Sequence, residues 1–192
     1  MPGELCLAFS GGFQRRLFSG EVMGFRRLIV VGCIAFGIWF VVIGGKKIEE
    51  KHIYDLYNEY TAAFASEDAK KVCDMFDDKV TGHFQSTSRS MPVRPSITKS
   101  AACSSVDEFY QSMRKLEEAT GQELYANFEY TIKNIEISPD KKTATVNVLM
   151  EMRVGTENGA LLDMRSNQTD VINRNLGKVR FVQSNGSVSF FK

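Results

Sequence analysis

Few side chains in this sequence have a type and spacing that could do chemistry. His52 and His83 are its two histidines. A histidine can serve as a general base near neutral pH, and His83 is the candidate, with a packing or surface role as the alternative. Two histidines without a matching carboxylate spacing do not build a metal centre, so no metal and no other cofactor is expected. Ser86, Ser88 and Ser90 lie in a Ser/Thr/Pro-rich run with nothing of the form Gly-x-Ser-x-Gly, which reads as loop rather than nucleophile. No glycine-rich phosphate loop is present. The cysteines carry a sharper expectation. None forms a Cys-x-x-Cys pair, and Cys6 and Cys33 fall in the N-terminal section, leaving Cys73 and Cys103. If that part of the chain is exported, an even pair in an oxidising compartment is expected to be a disulfide. Its closure would stabilise by roughly 3–4 kcal/mol on the chain-entropy model. Two unrelated buried thiols are the alternative.

These groups sit in a chain of 192 residues with 24 Lys+Arg, 23 Asp+Glu and a formal net charge of +1. Apolar residues make up 43% and aromatics 11%, values that exclude disorder and collagen-like repeats. The missing basic excess speaks against nucleic acid as a partner. Leu28 to Ile43 carries no charge, and Gly44-Gly45 extend the run to Lys46-Lys47. This is the short end of what a membrane-spanning helix needs, about 17–20 residues, and Arg26-Arg27 and Lys46-Lys47 flank it as headgroup anchors. A soluble buried helix would show a polar face. A cleaved signal peptide stands as the other reading, but the run exceeds the usual signal core and its exit lacks Ala-x-Ala. The section divides into a tail over 1–25 (untranslated if the true start is Met23), an anchor over 26–47 with the membrane as partner of residues 28–45, and a domain over 48–192. Arg15, Arg16, Arg26 and Arg27 against Lys46, Lys47 and Lys51 favour the N-terminus inside. The expected location is the bacterial inner membrane, single-pass, with the C-terminal domain periplasmic.

Past the anchor the pattern turns amphipathic. Ile53, Leu56, Tyr57, Tyr60 and Phe64 recur at helical spacing. Ser66 offers an N-cap to a second helix with Ala69, Val72, Cys73 and Phe76 inward. Ser105 and Glu108 have capping-box spacing for a third helix, with a stripe of Val106, Phe109, Tyr110, Met113 and Leu116 and a stop at Gly121. Between the second and third helices, Val80–Gln85 reads as a short strand, followed by a loop containing Pro92 and Pro95. The remainder alternates as strands. Phe128, Tyr130 and Ile132 lose phase near Lys133-Asn134 before Ile135 and Ile137, as a β-bulge would require. Ala144, Val146, Val148, Met150, Met152 and Val154 hold one face of the next strand, opposite Glu151 and Arg153. A further strand covers roughly Leu161 to Ile172, and Asn185-Gly186 predicts a type I′ turn within a last hairpin over Val179–Phe191.

The segment IYDLYNEYTAAFASEDAKKVCDMFDDKVTGHF, with its aromatic first helix, acidic Ser66-Glu67-Asp68 link and Met75-Phe76-Asp77-Asp78 end, resembles the opening of the nuclear transport factor 2-like superfamily. That superfamily shares its cone with ketosteroid isomerases and polyketide cyclase-like proteins. The closing VRFVQSNGSVSFF is similar to its final hairpin, with Val188 where many members have Trp. The resemblance implies an α+β fold, three N-terminal helices packed on a curved antiparallel sheet, here preceded by one transmembrane helix. It also implies a pocket, for which Tyr57, Tyr60, Phe64, Tyr110, Met113, Phe128 and Tyr130 are the lining candidates, ordinary core being the alternative. In the isomerase branch an Asp base follows the second helix and a first-helix Tyr donates to an oxyanion. Tyr60 matches that Tyr, but the base position falls near Phe84 and no carboxylate lies between Lys79 and Val106. Tyr60 and His83 are therefore weak catalytic candidates, and no catalytic residue is assigned. The resemblance implies homodimer or envelope-protein contacts on the sheet face of Glu151 and Arg153, a solvated face being the alternative. The reading is a membrane-anchored, exported domain that binds a small apolar ligand or assembles with a partner, without catalysis. An isomerase- or cyclase-like enzyme using the pocket is one alternative. The other is a scaffold like the assembly factor of type IV secretion systems, although the Asn-Pro-x-Gly turn of those proteins is absent.

Overall fold

The computed structural model describes residues 29–33, 45, 47–86 and 96–191. The chain separates into two compact units, 1–39 and 40–192. Of the first, residues 29–33 are helical and Cys33 is an exposed free thiol. The expected tail, Cys6, Met23 and most of the expected 28–45 anchor lie outside the described residues, as do Ser88, Ser90, Pro92 and Pro95. Among the described residues no helix is long and apolar enough to cross a membrane.

The second unit is α+β. Helix α1 (Glu50–Ala65) starts where the Glu49 backbone N–H donates to Nδ1 of His52 at 3.1 Å, so His52 caps the helix on which it sits. Ile53, Leu56, Tyr57 and Phe64 are buried along one stripe. Helix α2 (Ala69–Asp74) is capped by Asp68, whose carboxylate accepts from the Lys71 N–H at 2.9 Å. Ser66, the expected cap, instead closes α1, and Glu67 turns the chain at φ 54° between the two helices.

Strand β1 (Phe76–Ser86) follows without a loop. Helix α3 (Lys99–Thr120) begins earlier than the Ser105 capping box suggests. Ile97 exchanges backbone hydrogen bonds with Gly82 at 2.8 and 3.1 Å, which holds the chain extended up to Thr98. Thr98 then accepts from the Ala101 N–H, and the Ser105 hydroxyl donates to the Ala101 carbonyl from inside the helix. Gly121 ends α3 in the left-handed region at φ 66°. Val106, Tyr110 and Met113 are buried along it, whereas Leu116 is exposed. A Cys73–Cys103 disulfide joins α2 to α3, with the Cα atoms 5.4 Å apart.

The sheet is ordered β1-β5-β4-β3-β2. Its members are β2 (Tyr125–Ile137), β3 (Thr143–Thr156), β4 (Gly159–Asn175) and β5 (Lys178–Phe191). The phase slip in β2 is a register shift between Ile132 and Asn134. The even-numbered residues of β3 from Ala144 to Val154 are all buried against the helices.

Two expectations need correction. First, the sheet is not wholly antiparallel, because β1 runs parallel to β5. Second, β5 crosses Asn185-Gly186 without turning. The tight turn lies at Leu176-Gly177, both at positive φ (51° and 79°), between paired Asn175 and Lys178. Gly186 is instead sandwiched between Phe84 of β1 and Gln168 of β4. A Cβ there would lie 2.4 Å from the Asn167 carbonyl oxygen, so glycine answers close backbone approach and not a turn.

Candidate functional site

The inner face of β4 departs from the apolar pattern of β3. Period two from buried Ile172 carries Asp170, Gln168, Ser166 and Met164 to the same face, and Asp170 is 2% exposed. Its two oxygens are each met by a hydroxyl. Tyr57, from the middle of α1, donates to Oδ2 at 2.6 Å, and Ser184, from β5, donates to Oδ1 at 2.5 Å. Tyr57 is fixed by stacking on Tyr130 (centroids 5.2 Å) and by edge contact with Phe181 (5.5 Å). Burial pushes the Asp170 carboxyl up to about 6, although both hydroxyls favour its ionised form. Burial also raises the Tyr57 phenol well above its ordinary value, reinforced by the carboxylate it faces.

Asp170 borders a cavity of about 170 Å³ whose other walls include Tyr57, Tyr60, Phe76, Phe84, Phe181 and Ser184. A second cavity of about 480 Å³ adjoins it, with Phe64, Phe109, Phe128 and Met152 among its walls. The two share Tyr60, Phe84, Ile97, Ala102, Val106 and Gln168. Ala101 and Ala102 leave the space that larger side chains on α3 would fill. No Lys, Arg or His is among the described residues lining either cavity.

Of the candidates named from sequence, Tyr57 and Tyr60 line the smaller cavity, and Tyr60, Phe64 and Phe128 the larger. Tyr60 sits among Phe76, Phe128 and Phe181 in edge contacts at 5.7–6.3 Å, and burial raises its phenol as well. Tyr110 is buried core whose hydroxyl donates to the Phe64 carbonyl at 3.0 Å. Met113 packs in the same core. Tyr130 donates to Oδ1 of Asn58 at 2.7 Å. None of these three is among the cavity-lining residues. His83 is exposed on β1, outside both linings, and its backbone N–H donates to Asn185 Oδ1. No carboxylate of β1 is among the cavity-lining residues, and the one that is comes from β4, at a residue the alternation singles out only once Ile172 is known to face inward. Among the described residues no group of three or more His, Cys, Asp or Glu is placed to hold a metal.

On the opposite sheet face, Arg153 pairs with Asp163 at 2.7 Å and Arg165 with Glu151 at 2.6 Å, so its charges are largely answered within the sheet.

No protein-family model matches the sequence, and no curated protein does. Solved structures do match in shape. A conserved protein from Planctomyces limnophilus superposes with a TM-score of 0.57 at 14% identity, over 74% of this chain and 97% of that one. A protein from Catenulispora acidiphila in complex with S-DNPA gives 0.53 at 12% identity, over 72% and 92%. A nuclear transport factor 2-like protein from Cytophaga hutchinsonii gives 0.50 at 13% identity, over 73% and 98%. At such identities the likeness fixes the architecture alone, and the described domain has the nuclear transport factor 2-like fold.

Proposed function

We propose that this domain binds a small, largely apolar ligand in the two adjoining cavities, with the ligand's polar end at Asp170, Tyr57 and Ser184. The observation that carries this reading is a buried carboxylate on the wall of a largely aromatic and aliphatic space that holds few other polar groups, Thr81, Gln168 and Ser184. Burying such a group costs stability, and an apolar residue of similar size would serve packing better. A cavity with few, convergent polar groups is the usual form of a small-molecule site. Calorimetric titration with 2-naphthylmethylamine and with neutral 2-naphthalenemethanol tests it. Saturable binding of at least one probe is expected, and it should be lost in Val106→Trp, which fills the shared wall while circular dichroism reports a retained fold. Absence of binding to both, or undiminished binding in Val106→Trp, overturns the reading.

A second reading, proton-transfer catalysis, is favoured by one observation: the Asp170 carboxyl held at about 6 beside the cavity. That value suits a general acid or base near neutral pH. Deuterium incorporation from solvent at the α-carbon of 2-tetralone, present in the wild type and absent in Asp170→Asn, would establish it. No incorporation leaves binding alone.

For the chain as a whole we propose attachment to the bacterial inner membrane through residues 28–45, with the domain in the periplasm. The Cys73–Cys103 disulfide supports an oxidising compartment. Protease digestion of the domain in intact spheroplasts is the expected result, and protection would refute it.

A further inference from the structure

We propose that the ligand of this cavity is a lipophilic amine, bound as its ammonium ion against Asp170 with its apolar body in the larger cavity. The inference rests on the ligand-binding reading above. It follows from the direction of the hydrogen bonds around the carboxylate. Tyr57 and Ser184 both direct their only polar hydrogens at Asp170, so neither is left to donate to a ligand. A carboxylate accepts about four hydrogen bonds, and two are taken. Gln168 commits one amide hydrogen to the Ser166 hydroxyl at 3.0 Å and keeps its carbonyl and second amide hydrogen, so it can meet either kind of partner. At Asp170 itself both neighbouring hydroxyls have spent their hydrogens, and the carboxylate keeps room to accept from a ligand.

Charge points the same way. No cationic side chain is among the described residues that line either cavity. The groups facing Asp170 are Tyr57 and Tyr60 from α1, Ser184 and Phe181 from β5, and Val146 from β3, with Gln168 and Ile172 on its own strand. None of them carries a positive charge. A buried carboxylate without a counter-ion lacks the partner that would offset its desolvation, and a ligand cation supplies it. The walls are aromatic, with Tyr60, Phe76, Phe84 and Phe181 around the smaller space, and aromatic faces attract ammonium groups. An anionic ligand would meet repulsion, and a neutral one would leave the charge unanswered.

The test uses the same two probes, which differ in the group that reaches Asp170. At pH 7.5 the amine is expected to bind at least tenfold more tightly than the alcohol. Asp170→Asn should lower amine affinity at least tenfold and bring it to that of the alcohol. Should that variant fail to fold, the wild type suffices. The tyrosines facing the site stay neutral in this range, so amine affinity should rise about tenfold from pH 5 to pH 7 as Asp170 ionises, with alcohol affinity flat or falling. Equal affinities, or a preference for the amine that survives in Asp170→Asn, overturn this inference and leave ligand binding standing. Failure of both probes to bind overturns the ligand-binding reading and this inference with it.

Discussion

Replacing Asp170 by Asn should change the pH dependence of stability more than its absolute value. Asp170 releases its proton at about 6 in the folded protein, against 3.8 for an unperturbed Asp. Between these values the folded chain holds a proton that the unfolded chain has lost. Stability is therefore highest below pH 3.8 with respect to this group, falls as pH rises through the window, and levels off above about 6. At about 1.4 kcal/mol per pH unit, the gap corresponds to about 3 kcal/mol, most of it between pH 4 and 7. Asn cannot ionise, so the variant should lack this slope. Urea denaturation of both proteins from pH 4 to 7.5 gives two curves, and their difference removes the contribution of every other titrating group. Asp170→Asn should gain about 2–3 kcal/mol relative to the wild type on going from pH 4 to pH 7. The comparison also cancels any pH-independent cost of rearranging the Tyr57 and Ser184 hydroxyls. Parallel curves would refute the reasoning, because they would mean that Asp170 titrates alike in both states.

Three further outcomes are expected. Tyr57→Phe removes a donor from a buried carboxylate and should destabilise by about 1–3 kcal/mol, while moving the Asp170 titration higher, as carboxyl NMR shifts would report. Cys73→Ala with Cys103→Ala opens a loop spanning 30 positions and should cost about 3–4 kcal/mol in urea melts, with no further loss on adding reductant. Gly186→Ala drives a methyl against the Asn167 carbonyl and should cost about 1–3 kcal/mol in thermal melts. A melt like that of the wild type would overturn the close approach of the Asn167 carbonyl at Gly186.

Much of the architecture was legible because it rests on periodicity. The six inward residues of β3, the slip at Lys133-Asn134 and the stop at Gly121 are local patterns with local causes. The errors arose where a distant contact decided. Asn185-Gly186 carries a strong turn signal, but β1, about a hundred residues earlier in the chain, pairs with that stretch and holds it extended. Thr98 begins α3 because Ile97 is fixed to Gly82, a contact no nearby sequence announces. The site was half legible. Tyr57 and Tyr60 followed from the aromatic stripe of α1, whereas Asp170 sits in a strand whose inner face runs Met164, Ser166, Gln168, Asp170, Ile172. Three polar residues in succession there read as an outward face. Only the partners on α1 and β5 make an inward carboxylate tenable.

The parallel pairing of β1 with β5 also bears on how the domain is made. Of the described strands, the one made last sits inside the sheet, between β4 and the one made first. Until Lys178–Phe191 has left the ribosome, β1 has only the Gly82–Ile97 bridge in place of a strand partner, Asp170 lacks Ser184, and Phe181 cannot close over Tyr57 and Tyr60. Nascent α1 can meet Tyr130 and Phe128 of β2 earlier, but the side of its tyrosines that Phe181 covers and the β5-facing edge of β1 wait, and unpaired edges invite aggregation. Completion of the carboxylate cluster and closure of the sheet are one event, so a chain truncated before β5 should be a client of chaperones rather than a partly working protein.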